Sequence, residues 1–530
     1  MATGIIPGTG DAARADTNRD AVSPSSLPQW MLHPGGRVAP LAALEWWRFD
    51  NSTLQKTPWQ SVPYPFPPNA SGANSPIYNV DRDTLARNAI ALAGTTHYGG
   101  AAEKSVAFGQ CGFAVRQSGS WLIFHGAGHG VGIANMVLGY QLGLDNPVWS
   151  ELSSCSDYVE AMGARQSSTS VAPATYVSGT SGAIAAGDIS TGYMFGNGTN
   201  KFWTYFHDGK PVIGHTGYGN LYDDARDRMI RTSSGVAWWG QGGSNQIDVF
   251  DWPTKTWRTP NRSANAFNPQ FWTSDAGNIV TGSNGHSWTH GACIDPATGD
   301  LYWMDSVPSM VWARWDSANN RFVNTRITRL TLNQTTNNGA TEPMVVVRAG
   351  GRNIVYYMDC TNVSGRQRYK LRRVDITNTL TGGSPIAMTA IDVSGISFTH
   401  PVANDPNRVY QTQAGMIYEP VRDKLIYIDP GFTDLAADNA SFNPGAYVHL
   451  YEIPLEGANN AVQATELTTT GTRPPMVPHP TISPDGVQSG IWTNTYISAL
   501  GGIAVQVGYA YNARTNPTSG VGAIYFIKTH

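Results

Sequence analysis

The chain has 530 residues, only 14% of them charged, with 57 Gly, 17 Trp, 23 Tyr and a formal net charge of −3. That balance points away from helix bundles, which draw on Ala, Glu, Lys and Leu, and toward many short strands joined by glycine turns and packed by aromatic rings. A small net charge with no Lys/Arg cluster argues against a polyanion-binding surface, so nucleic acid is not an expected partner; no apolar run approaches the ~20 residues of a membrane helix, so membrane insertion is not expected either.

The first twenty residues, MATGIIPGTGDAARADTNRD, carry no basic segment followed by an apolar one. No secretory signal is visible, and synthesis in a cytoplasm is the expectation. Cys111, Cys155, Cys293 and Cys360 lie too far apart for a CxxC motif and are read as buried thiols.

Residues 1–95 read as an extended N-terminal arm and linker with a short helix, and 96–530 as the folded body. Met1 to Pro28 is small and polar, with too little apolar surface to offset its ordering entropy alone. Leu41 to Phe49 (LAALEWWRF) fits a strand or one helical turn, Val62 to Pro76 is proline-stiffened linker, and Val80 to Ala93 has Leu85, Ala89 and Leu92 at helical spacing. The arm is expected outside the body, free to grip neighbours.

From Ala101 onward one grammar recurs. Trp121-Leu122-Ile123-Phe124 is a short apolar run without helical period, glycines at 126, 128, 130 and 132 form a hinge, a strand returns over Met136 to Leu142, and Trp149 closes the unit. Strand, glycine turn, strand and closing aromatic is the pattern of one propeller blade, with a repeat near 50 residues. Thr169 to Gly198 is a small-residue insertion, long loop or ribbon. A second unit spans Lys201 to Arg258, with strands at Arg228-Met229-Ile230, Val236 to Trp239 and Ile247 to Phe250 and the closing Trp257. Further units run from His286 to Val323, Pro343 to Thr377, Gly415 to Leu455 and Thr481 to His530. Six units are countable, and a seventh has room in the 160–200 insertion or in N-terminal strands. The fold expected is therefore all-β, a six- or seven-bladed propeller. A lone four-stranded sheet cannot bury both faces, so blades must stack into a closed ring, and Ala523 to Ile527 is placed to be its closure strand.

Two stretches carry a likeness. HGAGHGVGIANMVLGYQLGLDNPVWSEL, from His125, resembles a strand-GGGHxDYxGNxVYxLxLxxxxW segment, and YFHDGKPVIGHTGYGNLYDDARDRMIR, from Tyr205, resembles xDGxPxxRHTYxxLxYxxxxDRMF. Those two patterns are features of a kelch-like β-propeller family of tailed bacteriophage and prophage structural proteins, within the galactose-oxidase-like propeller superfamily, which this chain resembles. This chain has Gly130-Val131-Gly132 where the family has an acidic residue, and Gly214-His215-Thr216 where it has Arg-His-Thr. The resemblance implies a virion component (tail, baseplate, fibre or capsid surface), present in many copies, contacting other virion proteins through the arm and facing a host glycan or protein. His125, His129, His215 and Tyr218 in these segments are candidate binding residues, as are Trp46, Trp47 and Trp59 of the arm, where burial against a neighbouring subunit is credible.

A catalytic set is not expected. Copper radical oxidases on such propellers need a Tyr-His pair, and the chain has no Tyr-His dipeptide. The sialidase turn S-x-D-x-G-x-x-W is incomplete at both Ser274 and Ser483. Neither a metal nor a cofactor is expected, since His125 and His129 lack a third ligand at fixed spacing and His286 and His290, four apart on an extended chain, are some 13 Å distant at ~3.3 Å per residue. Asp223, Asp224 and Asp227 read as a solvated turn partnered by Arg226 and Arg228. The alternative reading is a glycan-active propeller hydrolase or oxidase, or a non-catalytic carbohydrate binder.

Overall fold

The computed structural model describes residues 27–33, 39–49, 112–125, 137–153, 193–197, 200–205, 210–211, 218–232, 247–258, 291–304, 309–333, 343–377, 385–396, 414–429, 447–474, 491–506 and 523–530, with short gaps at 319, 364–365, 492 and 494. These form a six-bladed β-propeller with almost no helix. A single helical turn, α1 (Gln29–Leu32), and strand β1 (Glu45–Arg48) come first. Blade 1 is β2 (Phe113–Arg116), β3 (Trp121–Phe124), β4 (Val137–Gln141) and β5 (Trp149–Ser153), after which β6 (Tyr193–Asn197) and β7 (Asn200–Tyr205) pair as a ribbon. Blade 2 is β8 (Asn220–Asp223), β9 (Arg228–Thr232), β10 (Ile247–Asp251) and β11 (Thr256–Trp257). Blade 3 is β12 (Ala292–Ile294), β13 (Leu301–Met304), β14 (Ser309–Asp316) and β15 (Arg321–Thr331). Blade 4 holds β16 (Met344–Val347), β17 (Ile354–Val363), β18 (Arg366–Asp375) and β19 (Met388–Ser394); blade 5 holds β20 (Gly415–Glu419), β21 (Lys424–Asp429) and β22 (His449–Ile453). Three short strands follow, β23 (Ala461–Gln463), β24 (Thr465–Glu466) and β25 (Thr470–Gly471), on the outer edges of blades 4, 5 and 6 respectively. Blade 6 is completed by β26 (Gly502–Gln506), β27 (Ile524–Lys528) and β1.

The ring is closed by packing at every junction. Blades present apolar side chains on both faces, so second strands such as β3, β13 and β21 read as apolar runs whose alternate residues go to opposite neighbours; in blade 2 only Met229 and Ile230 of β9 do so, flanked by the buried Arg228 and Arg231. In β21, Leu425 and Tyr427 pack against blade 4 while Ile426 and Ile428 pack against blade 6. Tyr222, Met229 and Phe250 of blade 2 meet Ala114 and Ile123 of blade 1. Ile230 meets Leu301 and Trp303 of blade 3, Met304 and Met310 meet Val355 and Tyr357 of blade 4, and Ala504 and Phe526 of blade 6 meet Leu122 and Phe124 of blade 1. No seventh blade is present among the described residues, since blades 6 and 1 already share a core.

The closure corrects one expectation. The leading segment was expected outside the ring, but residues 27–33 and 39–49 are part of it. β1 lies between β27, to which it pairs antiparallel (Trp46↔Ile527, Trp47↔Phe526), and β25, to which it pairs parallel. Trp30, Met31, Leu41 and Phe49 sit in the core between blades 6 and 1, with Trp30 edge-on to Phe49 and Phe526 at 4.8 and 5.2 Å. The Trp30 indole N–H donates to the Leu142 carbonyl of blade 1 at 2.9 Å. Ala523 to Ile527 is a closure strand as the sequence implies. The helix expected over Val80 to Ala93 and the linker Val62 to Pro76 lie outside the described residues.

Candidate functional site

Two of the expected binding residues, His125 and Tyr218, and the acidic turn lie on blade 2 or at its junction with blade 1. The turn from β8 to β9, YDDARDR, is a 3-10 turn (Asp224–Arg226) that ends on Asp227 with φ +50. The sequence reading of a solvated turn is corrected at Asp223, which is buried, while its partnering by Arg226 and Arg228 is as expected. Asp223 is buried and accepts from Arg226 at 3.1 Å and from the wholly buried Arg228 at 2.7 Å. Arg228 lies 3.2 Å over the Trp315 ring of blade 3; burial pushes its guanidinium down to about 10, which leaves it charged at neutral pH. Asp227 takes the Arg116 guanidinium of blade 1 at 2.6 Å and the Tyr222 hydroxyl at 2.6 Å. Partial burial works against this carboxylate, but Arg116 and Tyr222 together hold it below the ordinary range.

The same device recurs on the opposite blade. Arg352 of blade 4 donates to Asp423 of blade 5 at 2.9 and 3.0 Å, Tyr418 donates to Asp423 at 2.8 Å, and Asp423 has φ +52. Residues 222–230 (YDDARDRMI) and 418–426 (YEPVRDKLI) share Tyr, Arg, Asp and Ile at the same spacing, so sequence could have revealed it. The arginine before each Asp reaches the following blade: Arg226 donates to the Thr298 carbonyl at 2.9 Å, Arg422 to the Thr529 carbonyl at 2.7 Å. Arg348 of blade 4 grips the buried Asp295 of blade 3. Gln117 of blade 1 completes the circle, donating to the Tyr496 carbonyl at 2.7 Å and accepting from the Ser498 N–H at 2.9 Å, while its own N–H donates to Asp224 of blade 2 at 2.9 Å. Every junction is thus tied by a polar latch at the first tight turn of a blade, on one face of the ring.

Two expected site residues lie deeper. His125, at the end of β3, is fully buried, its ring centroid 4.5 Å from that of Trp257, and Asn220 donates to its carbonyl at 2.7 Å. Burial, and then the nearby Arg231 guanidinium, hold the imidazole well below its ordinary range, so it is neutral. Arg231 is itself buried and paired with Asp248 at 2.5 Å. An enclosed neutral imidazole is a packing group with respect to solvent-borne ligands. Tyr218 is buried as well, and its hydroxyl donates to the Ala414 carbonyl, joining blade 2 to blade 5 across the axis.

Trp46 is buried between blades 5 and 6, so its ring packs on its own chain, and Trp47 is half-buried against the core between blades 6 and 1. His129, His215 and Trp59 lie outside the described residues, as does the glycine hinge. Cys293 is a buried free thiol, held protonated by burial and by Asp295. Among the described residues no group of three or more His, Cys, Asp and Glu side chains is arranged to hold a metal.

Neither a family model nor a curated protein matches the chain. Among solved structures, "Structure of U3-55K" is similar at 8% identity over 79% of this chain and 94% of that one, with a TM-score of 0.33. "Crystal structure of RRP9 WD40 repeats" is similar at 9% identity over 79% and 93%, with the same TM-score. Neither likeness bears on function.

Proposed function

We propose that this chain is a structural component of a tailed bacteriophage virion, a propeller that serves as a rigid docking or host-receptor-facing module and is present in many copies. The kelch-like resemblance over His125–Leu152 and Tyr205–Arg231 supports the family. The observation that carries the docking role is the latch circle, in which each junction is fixed by a side chain reaching from one blade to the next. A surface so fixed loses little conformational entropy when a partner binds, which is what a stoichiometric assembly contact requires. Anchoring through the first 26 residues fits this role, because residues 27–33 and 39–49 are committed to the ring itself.

The test is incorporation. Particles purified with and without the gene, compared by mass spectrometry and negative-stain imaging, are expected to differ by this chain at integer stoichiometry and by a defined density. Complete particles that lack the chain when it is expressed would refute the proposal.

A further inference from the structure

The segment Ala461–Thr472 crosses the outer edges of three consecutive blades. β23 runs parallel to β19 (Val393↔Val462, Ser394↔Gln463), β24 antiparallel to β22, and β25 parallel to β1. It is held mainly by its backbone. The N–H groups of Ala464, Leu467, Thr470 and Thr472 donate to the carbonyls of Ser394, Leu450, Leu44 and Trp46 at 2.7, 2.8, 3.0 and 3.0 Å. The side chains turned inward are small, with Val462, Ala464 and Thr469 buried and Leu467 half-buried, whereas the residues between them are exposed. Close approach of the strap at its blade 4 end depends on Gly395 (φ +86), where an added Cβ would lie 2.3 Å from the Ala464 carbonyl.

The strand beneath is anchored differently. Residues 27–33 and 39–49 bury Trp30, Met31, Leu41, Trp46 and Phe49, and the outer edge of β1 is covered by β25. Local opening follows the least anchored element, the one with few buried apolar contacts and mostly backbone bonds. On that ground the strap opens before the strand it covers.

We propose that Ala461–Thr472 is the release catch of the ring: seated, it retains the N-terminal segment on blade 6; peeled away, it lets Leu27–Phe49 leave as a unit and opens the seam between blades 6 and 1. Lifting it removes one of the two strand partners of β1 and bares the outer edges of β19, β22 and β1 together. This goes beyond the docking role and stands whether or not the chain is a virion protein.

Both decisive variants act at the blade 4 end of the strap, far from β1. Gly395→Ala should loosen the catch, and an oxidised Ser394→Cys/Gln463→Cys pair, which tethers β19 to β23, should fix it. Amide hydrogen exchange on the full chain is read in three regions: 461–474, 27–49, and 415–429 as a core control. Gly395→Ala is expected to speed exchange at least tenfold in both 461–474 and 27–49 with 415–429 unchanged. The oxidised pair is expected to slow both regions relative to its reduced form. Gly395→Ala freeing the strap while 27–49 keeps wild-type protection, or a disulfide that protects the strap without slowing 27–49, would overturn the proposal. Should Gly395→Ala not fold, the oxidised-against-reduced comparison decides alone.

Discussion

The hydroxyl of Tyr218 in blade 2 donates to the carbonyl of Ala414 in blade 5, the blade facing it across the ring, and both residues are buried. This contact ties two non-adjacent blades directly. Tyr218→Phe keeps the ring in place but orphans a buried carbonyl, which costs about 1–3 kcal/mol. The expected outcome is a lower urea midpoint with an unchanged far-ultraviolet spectrum. An unshifted midpoint would show that the bond contributes nothing.

A larger loss is expected at the Asp223–Arg228 pair, which is buried on both sides. Removing one partner leaves an uncompensated charge in the interior, so Asp223→Leu alone should cost roughly 3–5 kcal/mol. The double variant Asp223→Leu/Arg228→Met should recover much of that. Equilibrium denaturation of the two single variants and the double completes the cycle, and a double variant no better than either single would contradict this account.

Asp227→Asn and Asp423→Asn should behave alike, because each breaks the same Tyr–Asp–Arg latch. Their arginines and acids are part-exposed, with side-chain exposures of 16% and 36% at Arg116–Asp227 and 23% and 43% at Arg352–Asp423, so each loss should be small, on the order of 1 kcal/mol after screening. The two latches lie on opposite blades and should be additive in the double variant. Strong coupling between them, measured by denaturant midpoints, would show that the ring transmits strain as a unit.

His125 gives the pH dependence a sign. Its folded-state pKa lies well below the ordinary value, through burial and Arg231, so the unfolded chain binds a proton first. Stability contributed by the neutral imidazole is full above about pH 6.5, the unfolded value, and is lost as pH falls below it, at up to about 1.4 kcal/mol per pH unit. His125→Phe, which keeps a ring beside Trp257, should flatten that decline between pH 6.5 and 5 in thermal-melt profiles. A parallel decline in the variant would remove His125 from the account.

The blade count and ring closure were legible because a strand buried on both faces is an uninterrupted apolar run, as at Leu425 to Ile428 and Ala523 to Ile527. Two first strands, β2 and β8, and the outer strands β23 to β25 were not. β8 (NLYD) and β2 (FAVR) mix charge with apolar residues because their ends enter the latch turns, and β23 to β25 are two or three residues long, below any period. Trp46 and Trp47 precede the repeating units, so no place in the core is visible for them from sequence. The strand partner of β1, β27, lies at the other end of the chain. The latches themselves were hidden because Arg116 and Asp227 are distant in sequence, and only the repeat of YDDARDRMI in YEPVRDKLI betrays them.

The last blade of the six-bladed ring is completed by the N-terminal strand β1. Two truncations test it most directly. Removing residues 1–26 touches no described contact and should leave the denaturation midpoint unchanged. Removing residues 1–49 deletes β1 and the Trp30 and Phe49 anchors, and should abolish the cooperative transition or lower its midpoint severely. Equal midpoints for the two truncations would contradict the closure described here.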